Sequence, residues 1–266
     1  MPVARAHVPP VAPEICGDLM QPIYAVGDIH GQNTMLEDTL ALIEKDGGTD
    51  AAIVFLGDYV DRGPDSRAVV ETLAQGLQAG RNWVCLKGNH DRMFEWYLET
   101  PPRHDPYMLV GMHWFSPKIG GAQTLAAYGI TEIEGRRLFE LGGEILAKVP
   151  PHHAAFLRGL QLCHHTEGLF FVHAGIRPGV PLGQQSETDM LWIREVFHTD
   201  TRDHGALVVH GHTPIDHATH YGNRINLDSG AGYGRPISAA VFENGQVWQL
   251  TPQGRQPLPQ AAPGSA

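Results

Sequence analysis

The stretch IYAVGDIHG, residues 23–31, joins a short apolar run to a loop in which Asp28 and His30 lie close to glycines. The apolar run predicts a buried strand that ends where the loop begins. Beyond the loop, apolar residues recur at the i, i+4, i+7 spacing of a helix as far as Gly47-Gly48. Strand, loop and helix in this order predict the first βα unit of a parallel sheet.

The same rhythm returns along the chain. Strands are predicted at 51–56 and 83–86, each followed by a helix, and three βα units indicate a parallel sheet with helices on its faces. Asn244-Gly245 between two apolar runs predicts a hairpin. The remaining predicted strands are 169–172, 206–209, 224–227, 239–242 and 247–250. The fold class is therefore α/β.

A chain of 266 residues is near the upper limit for one hydrophobic core, so we expect one domain with an insertion rather than two domains. We place the domain at 21–253. Residues 94–160 interrupt the βα rhythm and predict a helical insertion beside one edge of the sheet. Proline-rich composition predicts a flexible N-terminal extension at 1–20 and a flexible C-terminal tail at 254–266.

Composition excludes several classes of protein. Hydrophobic residues at 42% and charged residues at 18% are typical of a folded chain rather than a disordered one. The formal net charge of −10 disfavours nucleic acid and anionic membrane as partners. No apolar run reaches about 18 residues, and no signal peptide is recognisable. Three cysteines without CxxC spacing predict reduced thiols and a cytoplasmic protein.

Five predicted strands each end in a loop that carries histidine, aspartate or asparagine beside glycine. The loops read GDIHG at 27–31, GDYVDRG at 57–63, GNHD at 88–91, HAG at 173–175 and HGHTP at 210–214. In open α/β sheets ligands bind outside the carboxyl ends of the strands, so we expect these loops to converge. No shared structural role explains the repeated pattern, and we interpret it as a metal site.

The candidate ligands offer oxygen and imidazole without thiolate. This set suits a borderline or hard divalent ion, with manganese the first choice and iron, zinc or magnesium the alternatives. Six ligands are too many for one tetrahedral ion but suffice for two ions that share a carboxylate, and Asp58, central in the order, is the natural bridge. Such a pair clamps the attacking and leaving oxygens of an in-line phosphoryl displacement. The candidates are Asp28, His30, Asp58, Asn89, His173 and His212.

The net charge expected for the metal site indicates which class of substrate it binds. Two divalent ions carry more positive charge than Asp28 and Asp58 return, and the surplus matches a phosphate dianion. Arg62 can present a planar two-donor fork to phosphate oxygens. His90 is then available as a general acid, with Asp61 orienting the ring and favouring its protonated form.

Taken together, GDIHG, GDYVDRG, GNHD, HAG and GHTP resemble the metallophosphoesterase superfamily over roughly residues 21–250. The resemblance is to the branch of serine/threonine phosphoprotein phosphatases and its bacterial relatives, which include the symmetrical diadenosine tetraphosphate hydrolases. It implies a calcineurin-like two-sheet β-sandwich flanked by helices, in which the parallel run forms part of one sheet.

The resemblance also distributes the roles. It implies that Asp28, His30 and Asp58 hold the first metal, and that the second is held by Asp58, Asn89, His173 and His212. His90 with Asp61 would be the acid dyad and Arg62 a phosphate ligand. Arg194, within LWIR at 191–194, resembles a second phosphate-binding arginine. Many phosphodiesterase members of the superfamily carry another histidine at the position of Pro214. This chain lacks that histidine, and in this it resembles the protein-phosphatase branch.

These residues favour a dimetal phosphomonoesterase that acts on phosphorylated Ser/Thr, or on Tyr or related phosphomonoesters. The resemblance implies in-line attack of metal-bound hydroxide, with His90 protonating the departing alkoxide. The alternative is a symmetrical dinucleoside polyphosphate hydrolase, although Asp61 favours the first because a poor alkoxide leaving group depends more on an acid dyad. A third possibility is a catalytically silent protein-binding scaffold, but this chain keeps every candidate ligand. The expected partner is a phosphorylated protein or a small phosphoester.

Overall fold

The computed structural model describes residues 21–261 apart from 109 and 167. The predicted extension at 1–20 and the last part of the predicted tail, 262–266, lie outside the described residues. Within the described part, no helix is both long enough and apolar enough to cross a membrane.

Eleven strands are found in the described residues. In chain order they are β1 (Ile23–Val26), β2 (Ala52–Phe55), β3 (Trp83–Cys85), β4 (Cys163–Thr166), β5 (Leu169–Val172), β6 (Leu207–His210), β7 (Thr219–His220), β8 (Arg224–Asn226), β9 (Ala239–Glu243), β10 (Gln246–Thr251) and β11 (Gly254–Pro257). They form two mixed sheets, ordered β11-β10-β9-β1-β2-β3 and β4-β5-β6-β8-β7.

Helices cover the outer faces of the sheets, and four of them lie wholly or partly within residues 94–160. They are α1 (Asn33–Gly47), α2 (Ser66–Gln78), α3 (Asn89–Tyr97), α4 (Gly121–Ala127), α5 (Leu138–Lys148), α6 (Pro151–Gly159), α7 (Glu187–Trp192) and α8 (Glu195–His198). Two short 3-10 helices lie at Leu182–Gln184 and Ala231–Tyr233. Val149-Pro150 connects α5 to α6, and Pro151 lies in the first turn of α6, where its missing N–H has no helical partner to lose.

Each sheet contains three neighbouring parallel strands, whose carboxyl ends lie at the same edge of that sheet. β1, β2 and β3 are parallel in the first sheet, and β5, β6 and β8 are parallel in the second. A hydrogen bond from the backbone N–H of His212, after β6, to the carboxylate of Asp28, after β1, shows that the two sets of strand ends meet. Ligand-type loops from both sheets therefore share one edge of the sandwich.

The core between the sheets comes from alternate residues of each strand. Ala25 and Ala240 of the first sheet join Phe171, Val209 and other buried residues of the second in one apolar cluster. Phe171 stacks edge-on against Phe242 with ring centroids 5.7 Å apart, which joins the sheets directly. The neighbouring residues of the same strands face outward and are covered by helices, so four layers result.

The fold class predicted from the sequence is confirmed: two mixed sheets are flanked by helices. The predicted strands all appear, and three further strands, β4, β7 and β11, were not predicted. β4 reads Cys163-His164-His165-Thr166 and lies at the edge of its sheet, so its polar composition gave no strand signal.

The predicted flexible tail from 254 onward differs from the structure. Gly254–Pro257 pairs with β10 as strand β11, and Leu258 is buried against the core between the sheets. Arg255 contacts the carboxylates of Asp46 and Glu243, which ties the strand to its neighbours. Pro257 is compatible with this assignment because β11 is an edge strand.

Phe171→Ala should destabilise the fold by about 3–5 kcal/mol, because it leaves a cavity between the two sheets. The matched control is Phe139→Ala on α5, where the ring is exposed and the change should stay within about 0.5 kcal/mol. Guanidinium unfolding followed by circular dichroism measures both. Equal destabilisation by the two substitutions would contradict the proposed location of the core.

Candidate active site

The loops that follow the strands hold their side chains through unusual backbone conformations. Of the six described non-glycine residues with positive φ, five lie here: His30 (48°), Asp58 (53°), Asp61 (74°), Arg62 (66°) and His212 (68°). Left-handed backbone costs a non-glycine residue roughly 1–3 kcal/mol and concentrates at functional sites. The strain therefore marks the same loops that the motifs mark.

Two glycines are required by close approach. A Cβ on Gly88 would lie 2.1 Å from Oδ1 of Asp58, and a Cβ on Gly211 would lie 2.0 Å from Oδ1 of Asp28. No side chain fits at these distances, so Asp58 and Asp28 can occupy their positions only if Gly88 and Gly211 are glycine. This gives a physical reason for a glycine beside the polar residues of these motifs.

Asp58 faces a different cluster with each carboxylate oxygen. Its Oδ2 lies 3.5 Å from Nε2 of His30, and its Oδ1 lies 3.4 Å from Nε2 of His173. On the second side, Oδ1 of Asn89 contacts Nε2 of His173 at 3.0 Å and Nδ1 of His212 at 2.9 Å. The side chains thus form two His/Asp clusters that share Asp58, one with His30 and His90 and the other with His173 and His212.

Backbone carbonyls orient two of the imidazoles. Nδ1 of His30 lies 2.8 Å from the carbonyl of Val60, and Nδ1 of His173 lies 2.9 Å from that of Leu56. In each ring an Nδ1–H donor leaves the Nε2 lone pair directed at Asp58. The buried Nε2 of His212 has no hydrogen-bond partner among the described residues. These three nitrogens are suited to divalent ions.

The charge states also fit a cation site. Burial lowers the pKa of the His30, His173 and His212 imidazoles, which favours the neutral, metal-binding form. Burial would raise the pKa of Asp58, but the surrounding imidazoles hold it well below its usual range.

Asp28 lies at the margin of the two clusters. Its carboxylate accepts the N–H of His212 at 3.1 and 3.2 Å and is 2% exposed. Burial, followed by the charges of Asp228 and Asp58, raises its pKa well above the ordinary value. A divalent ion would relieve this crowding of buried carboxylates.

His90 of the first cluster also forms a pair with Asp61. Nδ1 of His90 lies 2.6 Å from Oδ2 of Asp61, and both side chains are buried. The indole N–H of Trp114 donates to both Asp61 oxygens, at 2.8 and 3.0 Å, and the hydroxyl of Thr124 donates to Oδ1 at 2.7 Å. Four contacts therefore fix this carboxylate, which orients the imidazole of His90.

Two arginines flank the clusters. The guanidinium of Arg62 contacts Nε2 of His30 at 2.5 Å and Nε2 of His90 at 3.1 Å. It lies 5.1 Å from the ring centroid of Tyr233. Arg194 is exposed, and its NH1 donates to Oγ1 of Thr213 at 3.0 Å. Every residue that the sequence predicted for the site is thus brought to this edge, with Arg194 at its rim.

Sequence reasoning missed some contacts at the site. For His113-Trp114-Phe115 the sequence favours packing over a substrate rim, and Trp114 is indeed fully buried. Its hydrogen bond to Asp61 was not predicted. Thr124 was not singled out because it lies in the predicted insertion, 63 residues from its partner Asp61. No local motif could reveal either contact, since a single hydrogen-bonding side chain leaves no periodic signal.

A sandwich of two sheets flanked by helices, with paired His/Asp clusters at one edge, defines a metal-dependent phosphoesterase. The chain belongs to the calcineurin-like phosphoesterase family, since residues 21–235 match the model of that family. The enzyme class is thereby a metal-dependent phosphoesterase hydrolase, and its His/Asp clusters fit a dinuclear metal site.

Solved structures share the fold. A candidate diadenosine tetraphosphatase is similar over 87% of this chain and 93% of its own, with 23% identity and a TM-score of 0.57. The cold-active protein-tyrosine phosphatase of a psychrophilic Shewanella species is similar over 90% of this chain and 80% of its own, with 15% identity and a TM-score of 0.60. At these identities the likeness extends to the fold and not to the substrate.

Asp58→Asn should weaken both metal positions together, because it removes the anionic oxygens that face the two clusters. We expect the variant to lose up to two metal equivalents relative to wild type and turnover to fall at least about 100-fold. Elemental analysis and aryl phosphate hydrolysis measure this. Asp38→Asn on the exposed face of α1 is the matched control. Normal metal content with normal turnover in Asp58→Asn would rule out a bridging role.

Proposed function

We propose that this protein is a dimetal phosphomonoesterase that hydrolyses phosphorylated Ser/Thr side chains, or related phosphomonoesters such as phosphotyrosine. The observation that carries the proposal is the buried His90–Asp61 pair, held by Trp114 and Thr124. An alkoxide is a strongly basic leaving group, and its departure needs a positioned proton donor. A phosphate leaving group of an anhydride needs such a donor less.

The six clustered residues would hold the ions. Asp28, His30 and Asp58 would bind one ion, and Asp58 with Asn89, His173 and His212 the other, with manganese as the proposed metal. The oxygen and imidazole donors, the unpartnered Nε2 of His212 and the crowded carboxylates support this assignment. When bound, two divalent ions supply Lewis-acid activation of water and neutralise phosphate charge.

The arginines would bind the substrate phosphate. Arg62 already directs both terminal nitrogens toward the interior of the site, where they contact His30 and His90. A phosphate oxygen can replace the imidazole nitrogens as the acceptor, and a guanidinium offers it two parallel donors. Arg194, exposed at the rim beside Thr213, would provide a second guanidinium for the phosphate.

His90 would act as the general acid. Its Nδ1 is engaged by Asp61, so Nε2 is the nitrogen available to the substrate. Asp61 fixes the ring, and Nε2–H would pass its proton to the leaving oxygen. The hydrogen bonds from Trp114 and Thr124 keep the Asp61 carboxylate aligned with the ring.

A substrate panel tests the proposed function. The manganese-loaded enzyme is assayed on a phosphoserine peptide, a phosphotyrosine peptide, an aryl phosphate and diadenosine tetraphosphate. We expect the largest kcat/KM on a phosphopeptide. A preference for the dinucleotide by more than about tenfold would replace the proposal with an anhydride hydrolase.

His90→Ala should lower kcat by about 10²–10⁴-fold while leaving metal content unchanged. The loss should be much larger on a phosphoserine peptide than on an aryl phosphate, because the phenolate leaving group hardly needs a proton. His165→Ala, at an exposed position of β4, is the control. An equal loss on both substrates, with chemistry rate-limiting, would indicate that His90 only binds phosphate. A loss of metal would make it a ligand.

Trp114→Phe should act through the same proton donor. The phenyl ring keeps the stacking on Phe94, at 5.1 Å between centroids, but removes the N–H that Asp61 accepts. We expect kcat on the phosphoserine peptide to fall roughly tenfold, from the loss of a hydrogen bond to a charged group. Trp83→Phe, remote from the site and in edge-on contact with Phe55, is the control.

A double variant makes this test specific. If Trp114 acts through His90, then Trp114→Phe should lower kcat little further in the His90→Ala background. Independent, multiplicative losses would show that Trp114 affects activity by another route.

A further inference from the structure

We propose that Glu71, His152 and His153 form a separate site for a zinc-class divalent ion, which clamps helix α6 onto helix α2. This cluster lies outside the candidate active site and shares no residue with it. Glu71 comes from α2, and the two histidines occupy the first turn of α6. The inference does not depend on the proposed catalytic function.

The three side chains converge on one point. Nε2 of His152 lies 3.0 Å and Nε2 of His153 lies 2.7 Å from the same oxygen, Oε2 of Glu71. The two rings are 4.4 Å apart between centroids, and the three ligand atoms all lie within 4.8 Å of one another. Ligands around a tetrahedral zinc ion at bonds of about 2.0–2.1 Å are roughly 3.3 Å apart, so small side-chain shifts would admit the ion.

The donor set suits zinc. Two imidazoles and one carboxylate form a three-ligand set that zinc accepts when water completes the coordination. His152 is 53% exposed and Glu71 is 36% exposed, so water can reach the open side. His153 is completely buried and anchors the cluster to the protein.

A second layer of hydrogen bonds orients the ligands. The amide of Gln75 donates to Oε1 of Glu71 at 2.6 Å, which leaves Oε2 for the histidines. Nδ1 of His153 lies 2.7 Å from the hydroxyl of Tyr128, which is itself buried. A hydroxyl both donates and accepts, so it can satisfy Nδ1 in the tautomer that donates from Nε2 to Glu71 and in the tautomer that binds metal through Nε2.

The position of the cluster gives the ion a structural role. Glu71 lies between one and two helical turns after Ser66 in α2, and the hydroxyl of Ser66 accepts the backbone N–H of Asp61. Tyr128 is four residues beyond Thr124, which also contacts Asp61. An ion held here would fasten α6 to α2, the helix that begins at Ser66, and binding to the folded state alone would raise the melting temperature.

Total metal content tests the proposal. The full chain is loaded with Mn²⁺, supplied with Zn²⁺ and freed of excess metal, and manganese plus zinc are counted together because zinc can exchange into the active site. Wild type should hold one equivalent more than His152→Asn, which should fold normally because His152 is exposed. His165→Asn, also at an exposed position, is the control and should keep the wild-type content. The difference remains readable whatever number of ions the active site binds.

Two further variants separate ligation from folding. Glu71→Gln should also lose the equivalent, and Tyr128→Phe should weaken Zn²⁺ binding at this site by roughly 10–100-fold, as is usual when the partner of a metal-bound imidazole is removed. Zinc should raise the melting temperature of wild type more than that of His152→Asn. Equal metal content in wild type, His152→Asn and Glu71→Gln would overturn the proposal.

Discussion

Three backbone N–H groups converge on the buried carboxylate of Asp91, and the arrangement of the site depends on this convergence. The donors are Gly88 at 2.9 Å, Asp58 at 2.8 Å and Tyr59 at 2.9 Å. The carboxylate thus joins the loop after β2 to the start of α3. Burial raises its pKa, and the three donors offset part of the cost of burying the charge. Without it, each buried N–H would lose its partner, at about 1–3 kcal/mol.

The Asp91 carboxylate positions Asp58, the residue that the two clusters share. The backbone N–H of Asp58 is one of the three donors to Asp91, and Asp58 has a left-handed backbone conformation. Its Oδ1 accepts the N–H of His90 at 3.0 Å. The carboxylate that faces both clusters and the histidine that pairs with Asp61 are therefore fixed by one short stretch of backbone. Preorganisation of this kind is more precise than loops alone would provide, because the strand ends and the N-terminus of α3 are rigid.

The βα units and the strand-end loops could be predicted from the sequence because both are local. Apolar periodicity gives the strand and helix, and the polar residue beside glycine marks the place where a strand must stop. The contacts of Trp114 and Thr124 with Asp61 could not be predicted, since they span 53 and 63 residues and depend on how the insertion folds back. β11 was missed for a different reason: Arg255 and Pro257 read as tail, and only pairing with β10 makes them a strand.

The two sheets contribute unequally to the clusters. Asp28, His30, Asp58 and Asn89 follow strands of the first sheet, whereas His173 and His212 follow strands of the second. Ions held between them would tie the halves of the sandwich at the edge where the apolar core ends. Thermodynamic linkage then makes metal availability a determinant of folding, since a ligand at 100 times its dissociation constant adds about 2.7 kcal/mol to the stability of the folded state. In a cell that restricts its supply of the metal, the abundance of this protein would fall together with its activity.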